Sequence, residues 1–269
     1  MSVLAIVRAI PARRRLLPAN LRPVLLGLVV PALLIVLWQA IVLAHLVAPY
    51  ILPSPAAVVA RFEAELDGGT FVADVGASLE RAIGGFAIGV PLGLAFGLTL
   101  GLSRLAERFF GPVFLAYRQV AQFAWIPLLS MWFGGGEAGK LAFVAMSAFA
   151  PSAVNSWRGA RAIPAAYREL SAVLTFGRLD HLRLVALPAA LPGVLTGVRT
   201  ALIYAWLATV GAELFLDIAP GLAGRLNEGR DKFEVDLMIV ALTVLATLGL
   251  VFGRFAAAVE TRLLQGRRR

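Results

Sequence analysis

The feature that most constrains this chain is a series of apolar runs longer than the interior of a soluble domain can use. Val24 to Ala48 gives 25 consecutive residues without Asp, Glu, Lys or Arg, and about 20 apolar residues carry a helix across the hydrocarbon core of a bilayer. Hydrophobic residues make up 59% of the chain before its 26 glycines are added, whereas a soluble domain holds roughly 45 to 50% with glycine included. The excess apolar surface needs a solvent other than water, and lipid is that solvent.

Five further runs follow: Leu79 to Leu102, Pro112 to Phe133, Leu141 to Trp157, Leu187 to Leu214 and Leu237 to Phe252. The third is interrupted by Arg118, Gln119 and Gln122, and the fourth contains Pro151 and Asn155. The expected fold class is therefore all-α, a polytopic membrane protein with about six transmembrane helices. Residues 1–23 form a basic N-terminus and 24–48 the first span. That run is too long for a signal peptide and lacks a cleavage site, so it is expected to stay uncleaved. Residues 49–78 form an external segment, Pro-rich at Pro53-Ser54-Pro55 and amphipathic over Val58 to Leu66. Residues 79–254 hold a five-helix core that includes the loop 158–186, and 255–269 form a basic tail.

Of the 25 basic residues 23 are arginine, and they cluster between the apolar runs. With the N-terminus inside, 17 fall on inner segments and 6 outside (Arg61, Arg81, Lys140, Arg225, Arg230 and Lys232), while Arg118 and Arg199 lie within spans. The positive-inside rule then places both termini in the cytoplasm, at a bacterial inner membrane. The net charge of +9 reads as membrane topology, so the lipid bilayer is an expected partner and nucleic acid is not.

Absent residues remove several chemistries. Without Cys there is no thiolate metal site or cysteine nucleophile, and His45 and His181 are too far apart in sequence and too few for a metal cage. No Ser/His pair or carboxylate dyad stands within the spans, so no catalytic residue is expected. Gly134 to Lys140 matches the first seven places of the phosphate-binding G-x-x-x-x-G-K-[ST] loop, but Leu141 replaces the hydroxyl and no buried strand precedes it. An exterior turn accounts for it.

Gly85, Gly89, Gly93, Gly97 and Gly101 recur every fourth residue in the second span. Small residues at this spacing let helix backbones approach closely in lipid. Four residues turn a helix by about 400°, so the stripe drifts around the helix and its two ends are free to face different partners. Packing within the chain is the expected use. Arg118, Gln119, Gln122, Asn155, Arg199 and Glu213 are polar at membrane depth. Such groups either snorkel and bond between helices or line a polar route.

The loop between the fourth and fifth spans contains a short amphipathic pattern around Tyr167 to Phe176 and ends in Leu187-Pro188. A short helix held between two spans can act as a mechanical coupler, since a partner gripping it moves both. Here the chain resembles the permease subunits of bacterial ABC importers, in the nitrate, sulfonate and taurine branch of the binding-protein-dependent family. That family carries a loop of the form E-A-A-x3-G-x9-I-x-L-P. Glu169, Leu170 and Ser171 take the first three places, Thr175 the glycine place, and Val185, Leu187 and Pro188 the last. Leu52-Pro53-Ser54-Pro55, Gly101-Leu102-Ser103-Arg104, Trp132-Phe133-Gly134, Arg199, Ala212-Glu213 and Gly221-Leu222 extend the resemblance over nearly the whole chain.

The resemblance implies the type I ABC importer permease fold and a homodimer, so a second copy of the chain is one partner. Two cytoplasmic ATP-binding subunits, which hold the ATP and Mg²⁺, and a periplasmic substrate-binding protein are the others. No cofactor is implied in this chain. Ala165, Ala166, Glu169, Leu170, Ser171, Leu174, Thr175, Phe176 and Gly177 fall on the implied ATPase-coupling helix. Thr175 resists the left-handed turn that the family glycine allows, and Gly177 is the expected substitute. An ion-gradient-driven secondary transporter or channel is the rival reading. Its buried acids and internal repeats are missing from this sequence.

Overall fold

Glycine at every fourth position from 85 to 101 sets the centre of the molecule. The computed structural model describes residues 22–177, 180–216 and 220–265; the first 21 residues, Arg178 and the terminal Arg267, Arg268 and Arg269 lie outside them. Among the described residues all regular structure is helical. The chain divides into two units, Met1–Ala57 and Val58–Arg269.

The first unit contains α1 (Arg22–Leu43). His45 ends it in a left-handed conformation with φ 49°, and the Leu46 amide donates to the Ile41 carbonyl at 3.3 Å, the 6→1 bond of a Schellman cap. The Trp38 indole donates to the Pro53 carbonyl at 2.9 Å. The Ser54 hydroxyl accepts from the Ala57 amide at 3.1 Å and so caps α2 (Pro55–Asp67), with Pro55 at its first turn.

The second unit continues with α3 (Thr70–Leu102), α4 (Arg104–Gln119), α5 (Ile126–Phe133), α6 (Glu137–Arg161), α7 (Ala165–Val173), α8 (Leu187–Phe215), α9 (Leu222–Lys232) and α10 (Val235–Gln265). Among the described residues three helices are long and apolar enough to cross a membrane: Thr70–Leu102, Leu182–Phe215 and Val235–Leu264. The second of these takes in all but the first residue of the π-helical turn His181–Ala186 that leads into α8. The other expected spans differ. The described apolar part of α1 is the shorter Val29–Leu43. The third run is not one helix but α4, a break, a 3₁₀ turn at Gln122–Trp125 and α5. Its polar interruption is where the helix stops.

The five glycines all face one helix. A methyl group at Gly85 would collide with Val144, at Gly89 with the Ala145 carbonyl, at Gly93 with Ser152, at Gly97 with the Ala153 carbonyl, and at Gly101 with Ala160. Both ends of the stripe meet α6. α6 runs parallel to α3 and follows the drift, because a repeat longer than 3.6 residues stays in contact with a partner wound in the right-handed sense. A second seam, unmarked by a regular repeat, joins the other side of α6 to α8. There a methyl on Gly193 would lie 2.7 Å from the Gly159 Cα, and one on Gly197 3.0 Å from the Asn155 Cβ. The order of these contacts makes α8 antiparallel to α6.

At the end of the bundle carrying α9, charge replaces glycine as the connector. Arg81, 5% exposed, and Glu213, 2% exposed, meet at 2.7 Å. Two further Arg81 nitrogens donate to the Glu137 carboxylate at 2.7 and 2.6 Å, and its Nη1 also donates to the Pro220 carbonyl at 2.7 Å. Ser78 Oγ donates to Glu213 at 2.7 Å and accepts from the Leu222 amide at 3.0 Å. The other Glu213 oxygen accepts from the Ala223 amide at 3.0 Å. A carboxylate of α8 thus caps the first turn of α9, satisfying amides that have no partner within the helix. Gly221 is needed there, since a Cβ would lie 2.6 Å from the Glu213 carboxyl carbon.

Around this centre, Arg225 donates to Asp74 at 2.6 Å and to Thr70 at 2.6 Å. Arg61 donates to Glu234 at 2.7 Å. The Lys232 ammonium, 2.7 Å from Glu228, with Arg225 beside it, holds the Glu228 carboxyl below the usual carboxylate range.

At the opposite end, α7 closes with a Schellman cap in which the Phe176 amide donates to the Ser171 carbonyl at 3.0 Å. Thr175 itself takes the left-handed position, with φ 54°. Gly177 does not substitute for it: the six-residue geometry fixes the left-handed residue immediately after the C-cap. A β-branched residue in this region costs about 1–2 kcal/mol.

Three outcomes follow from this packing. Gly97→Leu lowers stability by about 3 kcal/mol, read as a fall in melting temperature in detergent, whereas Gly76→Leu, with nothing within 4 Å of its Cβ, is tolerated. Glu213→Leu costs about 1–3 kcal/mol by leaving the Ala223 amide without its acceptor and Arg81 with Glu137 as its remaining carboxylate, read as a fall in melting temperature. Thr175→Gly relieves the left-handed cap and slows hydrogen exchange at the Phe176 amide severalfold, as measured by mass spectrometry.

Candidate functional site

The site is built where the third run breaks. α4 stops at Gln119 because Val120 (φ −72°, ψ 128°) and Ala121 (φ −57°, ψ 130°) are extended. Pro127, in the first turn of α5, restarts the helix. At membrane depth irregular backbone is tolerated where it is buried in protein or lines a water-filled space. The break lines a cleft of about 360 Å³ bordered by Tyr117 to Gln122, Trp125, and on the facing helices Met146, Ser147, Ala150, Pro151 and Tyr204.

Pro151 contributes a missing donor. It has no amide to offer the Ser147 carbonyl one turn earlier. The Ser147 hydroxyl is turned to the Phe143 carbonyl at 2.6 Å. Gln122 Nε2 is buried and has no hydrogen-bond partner among the described residues. The Arg118 guanidinium stands 6.0 Å from the centre of the Phe114 ring, a cation–π distance. Among the described residues it forms no ion pair, and no carboxylate lines the cleft. The cleft therefore pairs an unneutralised cation and amide groups with three aromatic side chains, Tyr117, Trp125 and Tyr204. Such a lining can receive an anion or a flat ring.

The structure brings Arg118, Gln119 and Gln122 together here and places the other polar candidates elsewhere. Asn155 donates to the Pro151 carbonyl at 2.8 Å on the seam between α6 and α8. Arg199 meets Glu260 of α10 at 3.0 Å, and Thr196 donates to the same carboxylate at 2.8 Å. Glu213 belongs to the cap of α9. Sequence reasoning did not single out Tyr204, Ser147 or Arg81. Arg81 carried a usable signal: a lone arginine at the rim of one apolar run and a lone acid in another are natural partners. Tyr204, inside an apolar run, carried none. Lys140, the lysine of the phosphate-loop resemblance, is fully buried and 3.7 Å from Glu137, out of reach of a nucleotide.

On α7, Ala166, Tyr167 and Glu169 are exposed, and Val173 and Leu174 remain 79% and 51% exposed beyond them. Ser171 is buried, Phe176 half-buried, and Thr175 and Gly177 exposed. The side chains of Ala165 and Leu170 lie outside the described residues. The short helix presents apolar and acidic side chains together at one end of the bundle.

Comparison with known proteins gives this geometry a family. Residues 89–265 match the family described as the binding-protein-dependent transport system inner membrane component. SsuC of Bacillus subtilis, provisionally named an aliphatic sulfonates transport permease protein, is 32% identical over 241 residues, covering 90% of this chain and 87% of its own. The riboflavin transport system permease protein RibX of Chloroflexus aurantiacus is 36% identical over 235 residues, covering 87% of each chain. Among solved structures, a chain of an amino acid ABC transporter crystallised with histidines superposes with a TM-score of 0.63 at 16% identity, covering 75% of this chain and 98% of that one. The helical arrangement and the sequence likeness agree: the chain is an ABC transporter permease and belongs to the family of binding-protein-dependent transport system inner membrane components.

Proposed function

We propose that the chain forms, with a second copy of itself, the translocation path of an ATP-driven importer for a small anionic solute of the sulfonate, taurine or nitrate kind. Both termini lie in the cytoplasm of a bacterial cell, as the arginine distribution supports. An external binding protein delivers the solute, and two cytoplasmic ATPase subunits, which hold ATP and Mg²⁺, drive the cycle. ATP hydrolysis takes place on those partners. The observation that carries the reading is the cleft at the broken span, where Arg118 lacks a counter-charge among the described residues.

In this arrangement α7 seats in the ATPase, with Glu169 at the contact. Movement of the ATPase pair passes through α7 into α6 before it and α8 after it. The seams along α6 make α3, α6 and the first half of α8 move together. Substrate choice rests mainly with the binding protein, and the cleft passes what is delivered.

A second reading has its own support. Tyr117, Trp125 and Tyr204 line the cleft, and a relative at 36% identity is named for riboflavin, so a flat heteroaromatic cargo suits the same walls.

Reconstitution with the ATPase and binding protein in proteoliposomes tests these assignments. Arg118→Gln lowers uptake of an anionic cargo about tenfold, while leaving ATPase activity responsive to the loaded binding protein. If Tyr204→Ala lowers uptake and Arg118→Gln does not, the flat-ring reading replaces the anionic one. Glu169→Arg abolishes ATP-driven uptake with insertion in the membrane unchanged, and normal uptake by that variant would remove α7 from the coupling role.

A further inference from the structure

α7 meets the rest of the fold through two joints of different build. On the side of α6 three residues intervene, Ala162 to Pro164. The Ala162 amide donates to the Arg158 carbonyl at 3.0 Å and the Tyr167 amide to the Pro164 carbonyl at 3.1 Å, while Ile163 is buried between them. This joint is short and packed. On the side of α8 stands the π-helical turn His181–Ala186, where the Leu187 amide reaches back five residues to the Leu182 carbonyl. α7 rests against this turn.

π turns are rare, hold one residue more than an α-helical turn, and recur at functional sites. The cause here is local. Pro188 follows directly, and in a regular α-helix its ring would strike the Leu184 carbonyl, for which it also has no amide. A widened turn relieves that conflict. Beyond the turn α8 has no such freedom: Ala186 and Ala190 are buried, and a methyl on Gly159 of α6 would lie 2.9 Å from the Ala190 carbonyl and 3.1 Å from the Gly193 Cα. The start of α8 is clamped to α6 backbone to backbone, whereas Arg183 and Leu184 of the turn are exposed.

We infer that the turn is a two-register joint, in which the π register seen here exchanges with an α-helical one while α8 stays on α6. The rarity of π turns marks the α register as the ordinary preference of a helix, and Pro188 opposes it, so the two registers are brought close in energy. Passing to the α register adds the stored residue to the helix. That shifts the chain entering the turn by about 1.5 Å along the helix axis and about 100° around it. α7, joined to the turn through residues 177–180, shifts with it and pivots at Ala162 to Pro164. The two registers depend on the turn alone; their use in transport rests on the coupling role proposed for α7.

Double electron–electron resonance on the full chain in nanodiscs tests the joint. The chain has no native cysteine, so labels at Val173→Cys on α7 and Leu207→Cys on α8, both exposed, report one distance per chain when labelled protein is diluted with unlabelled protein. The expected result is two distance populations, both kept in Arg183→Ala, which leaves the residue count unchanged. Deleting Leu184 removes the stored residue and leaves a single population. Pro188→Ala, which relieves the conflict without a deletion, moves the balance toward the α register. A single population in the wild-type chain, two that survive the deletion, or a distribution that Pro188→Ala leaves unchanged overturns the inference. The last of these decides alone if the deletion variant does not fold. Addition of the ATPase with Mg²⁺ and ATP then separates the joint from its use: populations that shift support the coupling role of α7, and two populations that ignore the ATPase remove that role and leave the joint in place.

Discussion

Backbone-to-backbone contact on both sides of α6 supports everything else in the second unit. In lipid, apolar side chains gain nothing by leaving one hydrocarbon surface for another, so dispersion between closely fitted helices has to supply the cohesion. Glycines 85 to 101 on α3 and Gly159, Gly193 and Gly197 at the α8 crossing let main chains approach to a distance that any Cβ would prevent. Large residues are then free to stand outside the seams. Phe96, Phe114, Tyr117 and Phe149 form a connected aromatic group beside the cleft, where their shape can border a space instead of filling a core.

The two ends of the bundle use polar groups differently. At the α9 end, Arg81, Glu213, Glu137 and Ser78 satisfy one another and the first turn of α9. A fully paired network of this kind fixes geometry more than it adds net stability. In the cleft, Arg118 and Gln122 retain unused bonding capacity. The contrast separates scaffold from site: buried charge with every bond made holds helices in place, and charge without a counter-ion awaits a visitor.

Much of this was legible in sequence because membrane proteins write it in large units. Apolar runs of about 20 residues located the helices, and the glycine period located the main seam. The loop from Glu169 to Pro188 located α7. What escaped detection was what depends on three dimensions. The sequence marked a polar interruption at Arg118, Gln119 and Gln122, but that the helix ends there, at the extended residues Val120 and Ala121, has no proline or glycine to announce it. The α6–α8 seam combines glycine with Asn155 and Ser152 without a period. Thr175 could be recognised as an awkward occupant of a glycine place, but only the cap geometry shows that the strain stays there and does not move to Gly177. The partnership of Arg81 with Glu213 joins residues 132 positions apart, beyond any local pattern.

The parallel course of α3 and α6 has an electrostatic consequence. Helices in contact and pointing the same way add their dipoles, so two sets of unpaired carbonyls gather a concentrated negative potential at the α7 end. Antiparallel α8 offsets it only in part. Arg158 and Arg161 occupy the last turn of α6, where that potential is strongest, and Arg104 and Arg108 follow directly after α3. The arginines that a topology rule counts as a sorting signal also act as counter-ions to the fold itself. Moving them to the other end of the bundle would set like against like even in a chain that had already found its orientation.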